Sequence, residues 1–325
     1  MKIFITGASG FVGGAAVKRL LAEGCEVIAM SRSENSDQKI RALGAAPSRC
    51  DLDSISANNI AGCEIVIHAA AHVEAWGEAD AWDKVNVQGT KNVLAAARAA
   101  GVRRFIHIGT EAALIYGQDL IDVDESAPLA LNSPFPYCRT KALAEQAVLA
   151  ANDPSANFST MVLRPRFIWG PGDTTILPSV LEMAAAGKWT WIDHGAAMTS
   201  TTYIDNLVEA IMLARSGGKP GQAYFILDAG NRSMHEVLTA MAATQKISLP
   251  DRSMPGWLAR ALGRTLEGIW RTFGLKSKPP LTAHEAMVMS RHCTLNGAKA
   301  ALELGYHQPV SVADGLMAMS SVRPS

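Results

Sequence analysis

The chain has 325 residues, of which 30 are basic and 30 acidic, so its formal net charge is zero and no overall field directs it toward nucleic acid. Hydrophobic residues make up 48% and charged residues 18%, which supports a sizeable core in two domains or one large elaborated domain. Cys25, Cys50, Cys63, Cys138 and Cys293 are odd in number, scattered and without a CxxC pair, which argues against a disulfide framework or a metal site and fits a reducing cytoplasm.

The first residues, MKIFITGASGFVGG, enter an apolar run at once, with no basic n-region or cleavage site, and no stretch holds eighteen consecutive apolar residues. Neither a secretory signal nor a membrane span is expected. Short apolar runs then alternate with helical patterns: KIFIT, a helix from Phe11 to Glu23, CEVIAM, a polar connection, CEIVIHAA, a helix from Ala81 to Ala100, and FIHIGT. This repeated β-α-β rhythm, with apolar strands fit for burial on both faces, predicts an α/β fold with a doubly wound parallel sheet, a Rossmann fold. After about Trp169 the rhythm loosens into Gly/Pro-rich turns and aromatic residues, with a last apolar strand at Ala223–Leu227. Residues 1–168 are therefore read as a dinucleotide-binding domain and 169–325 as a smaller, partly interleaved substrate-binding region.

Between the first strand and first helix stands Gly7-Ala8-Ser9-Gly10-Phe11-Val12-Gly13. Gly7 would permit the tight turn, Gly10 the approach of backbone to a pyrophosphate, and Gly13 close packing of helix on strand, with phosphates at the helix N-terminus. Ser9, Phe11 and Val12 belong to the same candidate phosphate cradle. Further along, Lys141 follows Tyr137 by four residues, which places both on one helical face. There an ammonium could favour the phenolate and hold a ribose, lowering a tyrosine pKa that is ordinarily about 10.

The GxxGxxG spacing, together with Cys50-Asp51-Leu52-Asp53, His68-Ala69-Ala70-Ala71, Asn86-Val87-Gln88-Gly89-Thr90, Tyr137-Cys138-Arg139-Thr140-Lys141 and Leu163-Arg164-Pro165-Arg166, resembles the extended short-chain dehydrogenase/reductases, the epimerase/dehydratase superfamily. The resemblance spans essentially the whole chain. It implies that Asp51 and Leu52 contact adenine, that Ala69, Ala70 and Ala71 line the cofactor, that Asn86 positions the cofactor or a proton relay, and that Pro165 shapes the wall beside the nicotinamide. At Ser31 relatives preferring NAD carry Asp; here the next residue is Arg32, a planar cation suited to a 2′-phosphate, so NADP(H) is favoured, with NAD(H) still allowed. Arg32 could equally be a solvated loop charge. The family's Ser/Thr falls on Glu111 if Ala112 is matched and on Thr110 if the match shifts by one; only Thr110 carries a hydroxyl, so Thr110, Tyr137 and Lys141 are the expected catalytic group. Glu111 would then be an ion-pair partner or a further acid-base group.

For the substrate, His72, Glu111, Arg166, Phe167 and Trp169 are the candidates, although core packing alone accounts for most such aromatics. Pro255 to Leu275 carries apolar residues at helical spacing, studded with Arg260, Arg264 and Arg271, and then Lys276 and Lys278. Packing on the domain is its default reading, with a cap on an apolar pocket or peripheral contact with a membrane as alternatives. This segment resembles the 3β-hydroxysteroid dehydrogenase-like and dihydroflavonol reductase-like branch, which implies a bulky apolar, steroid-like ketone or secondary alcohol as small-molecule partner and allows a homodimer through the Tyr137 helix. A nucleotide-sugar epimerase or dehydratase, and a non-catalytic NADP(H) sensor, are the competing expectations.

Overall fold

The structure is a computed structural model that describes residues 1–74 and 76–321, so the last four residues of the expected substrate-binding region lie outside it. Its first unit is β1 (Lys2–Thr6), α1 (Phe11–Ala22) and β2 (Glu26–Ser31), followed by α2 (Glu34–Ala42) and β3 (Ala46–Arg49). The predicted polar connection is thus a helix and a strand. Its signal was weak because β3 reads Ala-Pro-Ser-Arg, an edge strand on which proline is tolerated and no apolar run is required.

The sheet continues through β4 (Ile65–His68), β5 (Arg104–Ile108), β6 (Ser159–Pro165) and β7 (Gln222–Ile226). All its pairings are parallel and the order is β7-β6-β5-β4-β1-β2-β3. The order reverses between β1 and β4, and in open α/β sheets the crevice beyond the strand ends at such a point receives the ligand. Alternate residues face opposite layers: Ile3, Ile5, Ile65 and Ile67 pack with α1, while Phe4 and Val66 pack beneath α3 (Gly89–Ala99). Burial on both sides explains why these strands are apolar throughout.

Before α3 the chain forms one turn at Ala79–Trp82 and then winds as a π-helix over Asp83–Gln88, so the helix expected from Ala81 is present but locally widened. The next long helix is α4 (Pro136–Ala150), opened by proline in its first turn and carrying Tyr137 and Lys141. A separate aromatic cluster, including Trp169, Trp189, Trp191 and Tyr203, holds the later part of the chain together with α5 (Ile204–Ala214). A small sheet joins residues 232–233, 198–199, 293–295 and 120–123, and α6 (Gly256–Thr272) packs on α7 (Ala283–Ser290). Among the described residues no helix is long and apolar enough to cross a membrane.

Candidate active site

At the switch point the backbone makes a cradle. Gly7 has a φ of +76°, and a Cβ there would lie 2.9 Å from the Ala69 carbonyl carbon and the Ala70 nitrogen. A Cβ on Gly13 would lie 2.2 Å from the Gly7 oxygen, so α1 can approach the turn only through glycine. The Gly10 amide donates to the Gly7 carbonyl at 3.0 Å, and α1 begins at the next residue with no acidic side chain in its first turn. Its N-terminal amides are therefore free to meet an anion.

A cleft of about 580 Å³ opens there, lined by Gly7, Ser9, Gly10, Arg32, Asp51, Leu52 and Ala69–Ala71, among others. Nine of the expected cofactor contacts thus share one wall-to-wall space, and the glycine cradle fits a pyrophosphate. Phe11 and Val12 do not line it; both pack toward the aromatic cluster. Arg32 stands exposed at the mouth, without a carboxylate partner among the described residues. The Asp51 carboxylate accepts from the Ser54 hydroxyl and amide at 2.7 and 2.8 Å, bonds that hold its pKa below the usual carboxylate range. Leu52 fits against Gly89, where a Cβ would come within 2.8 Å of its side chain.

The second half of the site is made by side chains. Thr110 caps the turn Glu111–Leu114 after β5, and its hydroxyl donates to Glu111 Oε2 at 2.7 Å. Glu111 is in turn paired with Arg166, both buried, and Arg166 also donates to Thr199 Oγ1 at 3.1 Å. Burial first, and then the Glu111 carboxylate and Cys138, push the Tyr137 phenol up from its ordinary value, opposed by a hydrogen bond with Thr110. Lys141 is buried and donates to the Ile108 carbonyl at 3.0 Å; burial pulls its pKa down to about 8. The Lys141 ammonium is thus held by a main-chain oxygen, and the charge that acts on the Tyr137 phenol is that of Glu111.

Asn86, in the π-helical segment, accepts from the His72 amide at 2.7 Å and donates to the His72 carbonyl and the Thr140 hydroxyl, each at 3.1 Å. It ties the loop after β4 to α4. Beneath it a buried network runs from Thr6 through His68 to Thr90, with separations of 2.7 and 3.0 Å. Burial, helped by Lys141, lowers His68 to about 3, and moves His107 in the same direction. Pro165 is buried at the end of β6, paired in register with Ile226.

Beside Tyr137 lies a second cavity of about 320 Å³, lined by Glu74, Trp82, Pro134–Tyr137, Arg264, Glu267, Arg271, Ala283 and His284. The His284 ring stands 5.9 Å from that of Tyr137, its Nε2 is buried without a partner, and burial lowers its pKa to about 4. None of the five expected substrate residues lines this cavity. His72 is engaged through its backbone by Asn86 and packs edge-on to Trp82. Glu111 and Arg166 spend their charges on one another, Phe167 packs half-buried at a φ of +45°, and Trp169 is a core residue bonded to Asp228 at 2.8 Å. The spacing of Arg264, Glu267 and Arg271 on one helical face could have been read from the sequence. His284 left no such local signal, because it meets Tyr137 only through folding.

A family model described as the 3-beta hydroxysteroid dehydrogenase/isomerase family matches residues 4–253. The chain is 38% identical over 327 residues to a 4-hydroxy-2-methyl-3-oxo-4-farnesyl-3,4-dihydroquinoline-1-oxide ketoreductase of Stigmatella aurantiaca, covering 100% of this chain and 97% of the relative. It is 34% identical to a 2-alkyl-3-oxoalkanoate reductase of Stenotrophomonas maltophilia, covering 97% of each. In fold it is similar to a dTDP-glucose 4,6-dehydratase of Streptomyces venezuelae, with a TM-score of 0.76 at 23% identity over 98% of this chain and 96% of that one.

Proposed function

The chain belongs to the 3-beta hydroxysteroid dehydrogenase/isomerase family, within the extended short-chain dehydrogenase/reductases, and on that premise we propose that it is an NADP(H)-linked ketoreductase with Tyr137 as proton donor. It is an oxidoreductase of keto and hydroxyl groups on bulky apolar substrates. The observation that carries the assignment of roles is the placement of Tyr137 on the wall of the 320 Å³ cavity. When bound, the nicotinamide supplies hydride to a carbonyl carbon, or takes it from an alcohol.

Tyr137 stays protonated through the neutral range, the form a donor needs, and passes its proton to the carbonyl oxygen as the alcohol forms. Thr110, whose hydroxyl donates to Glu111 here, is the side-chain hydroxyl that would turn to hold the substrate oxygen beside Tyr137. Lys141, one turn on, is the cation on hand to steady the phenolate left behind. Gly7, Ser9 and Gly10 hold the pyrophosphate, Asp51 and Leu52 the adenine end, and Arg32 a 2′-phosphate, which is the basis for preferring NADP(H). The names of the two relatives favour a ketone bearing a long alkyl or prenyl chain.

The test is a panel of apolar ketones, their alcohols and nucleotide sugars, each with NADH/NAD and NADPH/NADP, followed by nicotinamide absorbance. Ketone reduction with NADPH is expected, and Tyr137→Phe should reduce turnover about 10²- to 10⁴-fold with cofactor affinity retained. Unchanged turnover in that variant would remove Tyr137 from the mechanism.

A further inference from the structure

Helix α6 buries its small residues and exposes its large ones. Gly256, Ala259 and Gly263 form the packed seam, and a Cβ on Gly263 would lie 2.8 Å from the Thr282 carbonyl oxygen. The outer face presents Trp257 and Phe273, 67% and 74% exposed, with Leu258, Leu262 and Ile269 about 40% exposed between them. An amphipathic helix that serves the core does the reverse. Beside this apolar face, Arg264 and Lys276 have no carboxylate partner among the described residues, and the Arg271 guanidinium, also without one, lies 5.0 Å from the centre of the Trp76 ring. Glu267, the one acidic residue of the helix, is occupied in accepting the Ala283 amide at 2.8 Å.

We propose that α6 is a membrane-surface helix that docks this protein on an anionic bilayer, with Trp257 and Phe273 seated at the boundary between headgroups and acyl chains. Aromatic residues at both ends, aliphatic residues between and cations without carboxylate partners along one edge suit that boundary, where apolar burial and attraction to acidic headgroups act together. A second copy of the chain fits less well. A two-fold contact crossing at the middle of the helix would bring Arg264 toward its own copy, and like charges across an interface are unfavourable.

Docking in this way also orients the site. Arg264, Glu267 and Arg271 line the cavity beside Tyr137, so its mouth would open at headgroup level. An apolar-chained ketone could then pass from lipid to Tyr137 without crossing water; this consequence, unlike the docking itself, rests on the ketoreductase reading.

The experiment is flotation of the whole protein with vesicles of phosphatidylcholine alone or mixed with phosphatidylglycerol, at low and high salt. Binding to the anionic vesicles that weakens with salt is expected. The double variant Trp257→Ser/Phe273→Ser should bind at least about tenfold more weakly, since it removes two exposed aromatic groups, while keeping its melting temperature and its turnover of a short water-soluble ketone. Failure of the folded wild-type protein to float with anionic vesicles, equal flotation of the double variant, or a solution dimer dissociated by the same substitutions would overturn the proposal. Flotation without turnover of any ketone would sustain the docking and defeat the ketoreductase reading alone.

Discussion

The cofactor-side cleft is made of main chain within one strand-turn-helix unit, whereas the Tyr137 side is assembled from side chains on four distant stretches, around residues 110, 137, 166 and 284. On the first side specificity comes from the absence of atoms, since Gly7 and Gly13 leave room that any Cβ would fill. On the second it comes from charge held out of water. The buried pair Glu111–Arg166 faces the phenol, and Glu145–Arg164 lies near the lysine on the same helix. Backbone cradles depend on local spacing, and charge clusters depend on the whole tertiary structure.

The sharpest way to break this contrast is to unpair the buried charges. Glu111→Ala strands the Arg166 guanidinium in the interior and should cost about 3–5 kcal/mol of stability in urea denaturation. Glu111→Ala combined with Arg166→Met should recover a large part of it, whereas no recovery would mean that the pair does not act as a unit. Acid should come next. His68 and His284 have folded pKa values of about 3 and about 4, below the unfolded value of 6.5, so the unfolded chain takes up protons first as the pH falls. Their contribution is therefore complete above pH 6.5 and declines below it, by on the order of 2 kcal/mol for each imidazole at pH 5. His68→Gln should flatten that decline in denaturation curves measured between pH 7 and 5.

On the backbone side, Gly13→Ala forces a methyl into the Gly7 oxygen and should cost about 1–3 kcal/mol, together with weakened nicotinamide binding in calorimetry. The smallest expected effect is at the exposed cleft mouth. Arg32→Gln should weaken NADPH about tenfold, the size of one charge-assisted hydrogen bond, and leave NADH unchanged. Equal losses for both cofactors would assign Arg32 to adenine rather than to a 2′-phosphate.

The same contrast explains what could be read from the sequence. The strands β1, β4 and β5, the glycine turn and the Tyr137 helix each carry their signal within a dozen residues, as apolar runs, glycine spacing or a proline at a helix start. Strand β3 escaped because an edge strand containing Pro47 needs no apolar pattern. An ion pair is among the expectations for Glu111, but its pairing with Arg166 is set by folding over 55 residues, and no local rule names that partner. Lys141 lies one turn after Tyr137 on α4, but which oxygen claims its ammonium depends on the end of β5. Helix α6 was legible as amphipathic, while the side of it that faces the protein was not, because glycine and alanine make a packing surface that hydrophobicity scales pass over.

Strand β7 also orders events in time. It pairs with β6 along Gln222–Ile226, and Phe225 lies under the buried Arg164 guanidinium, with 5.4 Å from that group to the ring. During synthesis the edge of β6 therefore waits for roughly sixty further residues to leave the ribosome, and an uncovered parallel edge is an invitation to foreign strands. A nascent chain arrested before residue 222 should be held by chaperones, and release should follow once β7 seals the sheet.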